Sequence, residues 1–182
     1  TIKDCAFYGC ENLEAVIFPE NSQLTTIGTE AFYNCQKLGS IIIPASVTTM
    51  GEGVFKSCKG LISATIPAGV TTIEYETFES CSSLTNVTFP ENSQLTTIGT
   101  DAFWDSGLAS ITIPANVTTI GTDAFRGCDN LTSVIIPDNS RLTTIGFASF
   151  LGCSALTSIT LPAGLTSLDM AAFKGCTGLT TM

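Results

Sequence analysis

The stretch Leu131-Thr132-Ser133-Val134-Ile135-Ile136-Pro137 has the form Leu-x-x-aliphatic-x-apolar-Pro. Earlier copies begin at Leu13, Leu38, Leu61, Leu84 and Leu108, and a later one at Leu156. Each of the seven prolines closes one copy: Pro19, Pro44, Pro67, Pro90, Pro114, Pro137 and Pro162. The chain is a repeat array, and each unit is one supersecondary element that buries its apolar edge against its neighbours.

A second landmark fixes the period. Phenylalanines recur at 7, 32, 55, 78, 103, 125, 150 and 173, in steps of 25, 23, 23, 25, 22, 25 and 23. The basic unit is therefore 23 residues. Three units carry two extra residues just after the proline, in the stretches beginning at Glu20, Glu91 and Asp138. Insertions confined to one place mark a surface turn. The single 22-residue step comes from a deletion within Phe103-Trp104-Asp105-Ser106-Gly107-Leu108.

One unit reads as follows. Val134 and Ile136 point inward at the strand period, and Ser133 and Ile135 point outward. Leu131 faces the core one bend earlier. Pro137 stops the strand because it has no N–H for a ladder. After a polar turn, Leu142 and Ile145 point inward with Thr143 and Thr144 between them. Gly146 permits a tight bend. A short helical or 3₁₀ turn is expected around Ala148–Phe150. In sibling units Thr29, Thr100 and Thr122 would cap it, with Glu30, Asp101 and Asp123 in its first turn. Stacking such units gives ladders of Leu, Ile, Phe and Cys, each buried Phe contributing roughly 1.5–3 kcal/mol. About seven or eight coils at ~4.8 Å spacing make a rod or arc on the order of 35 Å long. Crossovers between its parallel strands are expected to be right-handed.

Composition narrows the function classes. The chain of 182 residues is 44% hydrophobic and 13% charged, the balance of an ordered protein. Its net charge is −9, and the seven basic residues form no run. Nucleic acid and anionic membrane surfaces are poor partners for such a surface. No apolar run approaches the ~20 residues of a membrane-spanning helix. The array begins inside a unit and ends just after Leu179, so residues 1–182 read as one solenoid cut from a longer chain.

Seven of the eight cysteines lie three residues after a repeat phenylalanine: Cys10, Cys35, Cys58, Cys81, Cys128, Cys153 and Cys176. Ser106 takes that place in the remaining unit, and Cys5 stands outside the series. A residue that recurs once per coil stacks on its own copies, so these read as a ladder of small buried thiols. Parallel Cβ vectors in neighbouring coils are poor geometry for disulfides. With no C-x-x-C pair and no histidine, zinc ligation is weaker still.

The unit Leu-x-x-Ile-x-Ile-Pro-x-x-Val-x-x-Ile-Gly-x-x-Ala-Phe-x-x-Cys resembles the leucine-rich repeat of the BspA-like family. Leu108 to Asn130 and Leu131 to Ala155 carry the resemblance best, and it extends over essentially the whole chain. Departures are local: Glu74 and Asp169 replace the glycine, Met50 the isoleucine, Ser106 the cysteine. The resemblance implies a curved leucine-rich repeat solenoid with a parallel sheet on its concave face. It also implies a surface or secreted protein, because characterised members act as adhesins toward host matrix proteins or other cells. It offers no catalytic motif.

The candidate ligand face is the outward side of the first strand. One row is Ser40, Ser63, Asn86, Ser110, Ser133 and Ser158; the other is Ile42, Thr65, Thr88, Thr112, Ile135 and Thr160. Concave repeat surfaces commonly bind a protein or a glycan. Equally, Ser, Thr and Ile simply suit a β-surface, and the aromatic and arginine residues that dominate hot spots are missing. The paired threonines from Thr25-Thr26 to Thr166-Ser167 form further rows, which turn and strand propensity explains better than ice binding. Trp104, at the deletion, is either an exposed anchor or a cover for the gap. Glu74, Glu76 and Glu79 cluster, and read as a solvated acidic patch rather than a calcium site.

An enzyme is disfavoured. Without histidine there is no Ser-His or Cys-His nucleophile pair, and no converging carboxylates are evident. No cofactor is implied. The expectation is a non-catalytic interaction or adhesion module at a cell surface or outside the cell, with a structural spacer as the alternative.

Overall fold

The structure is a computed structural model that describes residues 1–182. Its strands are two or three residues long. In chain order they are β1 (Ala15–Val16), β2 (Thr26–Ile27), β3 (Ser40–Ile42), β4 (Thr49–Met50), β5 (Ser63–Thr65), β6 (Thr72–Ile73) and β7 (Asn86–Thr88). They continue as β8 (Thr97–Ile98), β9 (Ser110–Thr112), β10 (Thr119–Ile120), β11 (Ser133–Ile135), β12 (Thr144–Ile145) and β13 (Ser167–Leu168). Each coil contributes a first strand before its proline and a second after the polar turn. All pairings are parallel and in register from coil to coil, such as Ser63↔Asn86 and Thr119↔Thr144.

A single cluster of 42 buried hydrophobic residues runs through the stack. The phenylalanines form its spine. From Phe7 to Phe173 successive rings lie 5.0–5.6 Å apart and nearly parallel, the largest interplanar angle being 14°. A one-coil repeat forces this geometry, because identical side chains on identical backbones must adopt the same rotamer. The leucines that open each unit, such as Leu61, Leu84 and Leu131, are completely buried. The inward strand residues Ala64, Val87, Ile111 and Val134 are nearly so.

The third side of each coil differs from expectation: no helix forms there. Two residues per turn, four apart, adopt left-handed backbone: Glu30 and Asn34, Asp101 and Asp105, Asp123 and Gly127, Ala148 and Gly152. A right-handed helix cannot pass through such residues. Instead the amides alternate. Tyr33 N and Cys35 N bond back three residues, to Glu30 O and Phe32 O. Glu30 N, Phe32 N and Asn34 N donate to Glu52 O, Val54 O and Lys56 O of the next coil. The inter-coil bonds satisfy backbone groups that a one-turn helix would leave unpaired. Thr29, Thr100 and Thr122 are accordingly not helix caps. Their carbonyls accept from Cys5 N, Glu76 N and Asp101 N of the coil before.

This turn-side ladder is unbroken from Cys5 to Lys174. The two sheets are not. The first-strand sheet divides into β1-β3-β5-β7 and β9-β11, and the second-strand sheet into β2-β4 and β6-β8-β10-β12-β13. The stack is thus held continuously on one side and opens on the other two at different levels.

Candidate binding face

The first-strand sheet carries both candidate rows, and the registers set them side by side. Ser40, Ser63 and Asn86 align, as do Ile42, Thr65 and Thr88. Beyond the division, Ser110 aligns with Ser133 and Thr112 with Ile135. Ser158 joins by a lone bridge to Ser133. The second row, from Ile42 to Thr160, is exposed throughout. Ser63 and Ser133 in the first row are half-buried. No ionisable group lies in either row. The Thr65 and Thr88 hydroxyls are bonded at 2.9 Å.

At one end of this face stand Ile17, 92% exposed, and Ile42, 81% exposed. They continue the adjacent register pair Val16↔Ile41. Such side chains add nothing to the core.

The division between β7 and β9 opens a cleft of about 470 Å³. Its cause is visible in the sequence pattern. Strands that precede an ordinary turn pair fully with the next coil, three residues each for β3–β5, β5–β7 and β9–β11. Strands that precede the two-residue insertion do not. β1 pairs over two residues, β11 meets Ser158 at one bridge, and β7 pairs with nothing after it. The larger turn bonds back to the coil before it, through Gln94 N to Ala68 O and Arg141 N to Ala115 O. That draws the end of the strand away from the coil that follows. Only at β7 does the step to the next coil also carry the one-residue deletion before Leu108. The cleft brings Asn86, Thr88, Ser110 and Thr112 from the candidate rows together with Phe89, Asn116 and Asn139. The last three were not anticipated. Insertion and deletion were both legible, but their geometric consequence belongs to the stack rather than to one unit.

Trp104 is not on this face. It projects from the turn side, half-buried, with the Arg126 guanidinium 5.0 Å from its ring centroid. Tyr8 and Tyr33 stack on the same side at 4.5 Å. The acidic cluster is engaged rather than free. Lys56 Nζ lies 2.6 Å from Glu76 and 2.9 Å from Glu79, while Glu74 takes no part. Burial acts to lower the Lys56 pKa, but hydrogen bonds to the two carboxylates outweigh it and raise it. Burial pushes Glu79 up, reinforced by the neighbouring Glu76. Burial also acts against ionisation of Glu76, yet hydrogen bonds from Lys56 and Tyr75 bring its pKa below the ordinary value. No group of three or more His, Cys, Asp or Glu side chains is arranged to hold a metal ion. No helix is long and apolar enough to cross a membrane.

Parallel two-strand coils, a phenylalanine spine and a proline-closed first strand define a leucine-rich repeat solenoid. More narrowly, the chain belongs to the BspA-type leucine-rich repeat family, whose repeat-region model matches in six copies over residues 1–132 and 96–182. A leucine-rich repeat protein from Bacteroides ovatus superposes with a TM-score of 0.81 at 35% identity, over 93% of this chain and 44% of its own. The present chain therefore spans less than half the length of that protein. The T. pallidum leucine-rich repeat protein gives a TM-score of 0.74 at 31% identity, covering 85% of this chain and 70% of its own. A leucine-rich cell surface protein from Faecalibacterium prausnitzii gives 0.63 at 26%, covering 99% and 76%. No curated protein matches the chain in sequence.

Proposed function

We propose that the chain is a non-catalytic interaction module of a cell-surface or secreted protein, binding a protein or glycan of a host matrix or cell surface through the first-strand sheet. The observation that carries this reading is the second outward row, exposed from Ile42 to Thr160, in which Ile42 is 81% and Ile135 53% exposed although coils stack on both sides of each. Large apolar side chains held in water on a face with no structural use for them fit a surface that meets a partner. The uncharged character of the rest of the face fits an interaction core, from which charged residues are depleted. The relative named as a cell surface protein supports the location. A structural spacer is the competing reading, supported by the monotony of Ser and Thr over the remaining rows.

The experiment is surface plasmon resonance against immobilised matrix proteins and cell-surface glycans. The wild-type chain is compared with Ile17→Arg/Ile42→Arg and with Thr65→Arg/Thr88→Arg/Thr112→Arg, each checked for fold by circular dichroism. Specific binding reduced by either set places the partner on this face. Binding untouched by both sets moves the partner elsewhere, and no binding by any protein leaves the spacer.

A further inference from the structure

We propose that the cleft between β7 and β9 is a binding site for a neutral oligosaccharide, a defined subsite within the interaction face and resting on that reading. The cleft is formed by the backbone rather than by a chance gap between side chains. It lies at the one coil step that combines the insertion after Pro90 with the deletion before Leu108. Its volume of about 470 Å³ falls in the about 300–1,000 Å³ range of small-ligand sites.

The lining selects the ligand class. Glu91 is the one charged residue among the 16 that line it. An anionic ligand would find no cation there, and a cationic one only a single carboxylate in the exposed turn. The polar groups are amides and hydroxyls; Thr88 is bonded to Thr65, and Ser93 Oγ accepts from Leu95 N, but the others keep donors or acceptors free. Asn86 and Asn139 make no side-chain hydrogen bond, and neither do Ser110 and Thr112. Asn116 uses its amide N–H on Ser93 O at 3.0 Å and keeps its side-chain oxygen free to accept. The Thr65–Thr88 hydroxyl bond has no counterpart across the division to Thr112. Amides and hydroxyls that both donate and accept match a ligand whose own groups are hydroxyls. Phe89 and the ring faces of Pro90, Pro114 and Pro137 supply apolar surface for the C–H faces of sugar rings.

A peptide fits less well. Strand addition needs room for another backbone between two edges, yet β7 and β9 remain neighbours. An apolar anchor needs a fully desolvated pocket, whereas here amides and hydroxyls are interspersed with Phe89 and the prolines.

The test is an array of immobilised neutral hexasaccharides of glucose, galactose, mannose and N-acetylglucosamine, with calorimetric titration of any sugar that binds. The proposal expects at least one sugar to bind and Asn86→Ala/Asn139→Ala to weaken it by about tenfold or more, as loss of unshielded hydrogen bonds does. Thr112→Val is a second, milder variant on the opposite wall. Ile17→Arg/Ile42→Arg, outside the cleft, should leave sugar affinity unchanged. No sugar bound, or binding indifferent to the Asn and Thr variants, overturns the proposal. A protein ligand lost in Ile17→Arg/Ile42→Arg and kept in Asn86→Ala/Asn139→Ala, with no sugar bound, would overturn the cleft while leaving the interaction face standing. A peptide that binds the cleft while sugars do not replaces the ligand class and also overturns it.

Discussion

The Cys58 thiol donates a 3.0 Å hydrogen bond to the backbone carbonyl of Phe32, one coil earlier. The same bond recurs from Cys35 to Phe7, Cys81 to Phe55, Cys128 to Phe103, Cys153 to Phe125 and Cys176 to Phe150. The cysteine ladder is therefore a second set of inter-coil ties, running beside the phenylalanine spine. Ser106 interrupts it, and its hydroxyl instead lies 3.3 Å from the Cys128 sulfur.

Burial makes the thiols at the middle of the ladder unreactive. It pushes the Cys81 and Cys128 pKa values up to about 12, with bonds from Ser106 only partly opposing the shift at Cys128. The thiolate is the nucleophile, so both sites should resist alkylation at pH 8. Cys5 and Cys10 are exposed. Native labelling with iodoacetamide, read by intact-mass spectrometry, should modify these two rapidly. All eight should react in guanidinium. Rapid native labelling of Cys81 or Cys128 would contradict the buried ladder.

The glycine that follows five of the seven second strands is set by a close approach of backbones. A Cβ on Gly121 would lie 2.8 Å from Gly99 C and 2.9 Å from Thr100 N. Backbone atoms cannot swing aside as a side chain can. Gly121→Ala should cost about 1–3 kcal/mol, the usual cost of overpacking. Gly164→Ala is the control, since its nearest neighbour would be Leu142 O at an ordinary 3.8 Å. Thermal unfolding of both variants decides between a steric requirement and simple turn preference.

Lys56 holds two carboxylates on the turn side, and its removal gives a pH signature. Glu76, lowered by its bonds to Lys56 and Tyr75 against the pull of burial, contributes stability above its unfolded pKa and loses it as pH falls through the folded value. Glu79, raised by burial, contributes in the opposite sense, losing stability as pH rises through its folded value. In Lys56→Met both carboxylates lose their cation and repel one another, so both pKa values rise. The variant should be about 1–3 kcal/mol less stable than wild type at pH 7, a partly buried pair lying between exposed and fully buried cases. The deficit should shrink as pH falls from about 6 to about 4, when protonation removes the repulsion. Unfolding midpoints from circular dichroism across that range provide the check. A deficit independent of pH would mean that Lys56 acts through packing alone.

The core was legible in the sequence because burial repeats with the coil. Leu131, Phe125 and Cys128 each report a position that seven or eight copies specify together. The turn side was misread for a local reason. Thr29-Glu30 and Thr122-Asp123 look like the start of a helix, and although Asn34, Gly127 and Gly152 suit left-handed backbone, Glu30 and Ala148 do not announce it. Glu30, Asn34 and Ala148 adopt it because the next coil offers carbonyls at the right spacing, a long-range fact with no local signature. The outward rows were legible as alternation along each strand. The cleft was not, because it comes from a large turn combined with a shortened corner on the way to the next coil. Trp104 was open between anchor and cover; the structure sets it on the turn side, away from the candidate rows, with the Arg126 guanidinium 5.0 Å from its ring centroid.

The cleft also predicts where the stack is weakest. Ile66 N donates to Thr88 O at 3.0 Å and Ile113 N to Ile135 O at 2.9 Å. Phe89 occupies the equivalent place in its coil and its amide has no backbone acceptor. On the turn side, Phe78 N reaches Ala102 O at 2.8 Å, in a ladder that passes the cleft without a break. Amides bonded within the buried stack exchange only when coils separate, which costs up to the global stability of several kcal/mol. An unbonded amide at an open cleft needs no such event. In native-state hydrogen exchange followed by NMR, Phe89 should exchange at least about a hundredfold faster than Ile66, Ile113 and Phe78. Ile43 is a second test of the same rule, since its amide also lacks a backbone acceptor although its strand is fully paired. If Phe89 alone is fast, the cleft itself is the cause; if both are fast, the missing bond suffices. Protection of Phe89 equal to that of Ile66 would mean that β7 and β9 close upon each other in solution and that the cleft does not exist there.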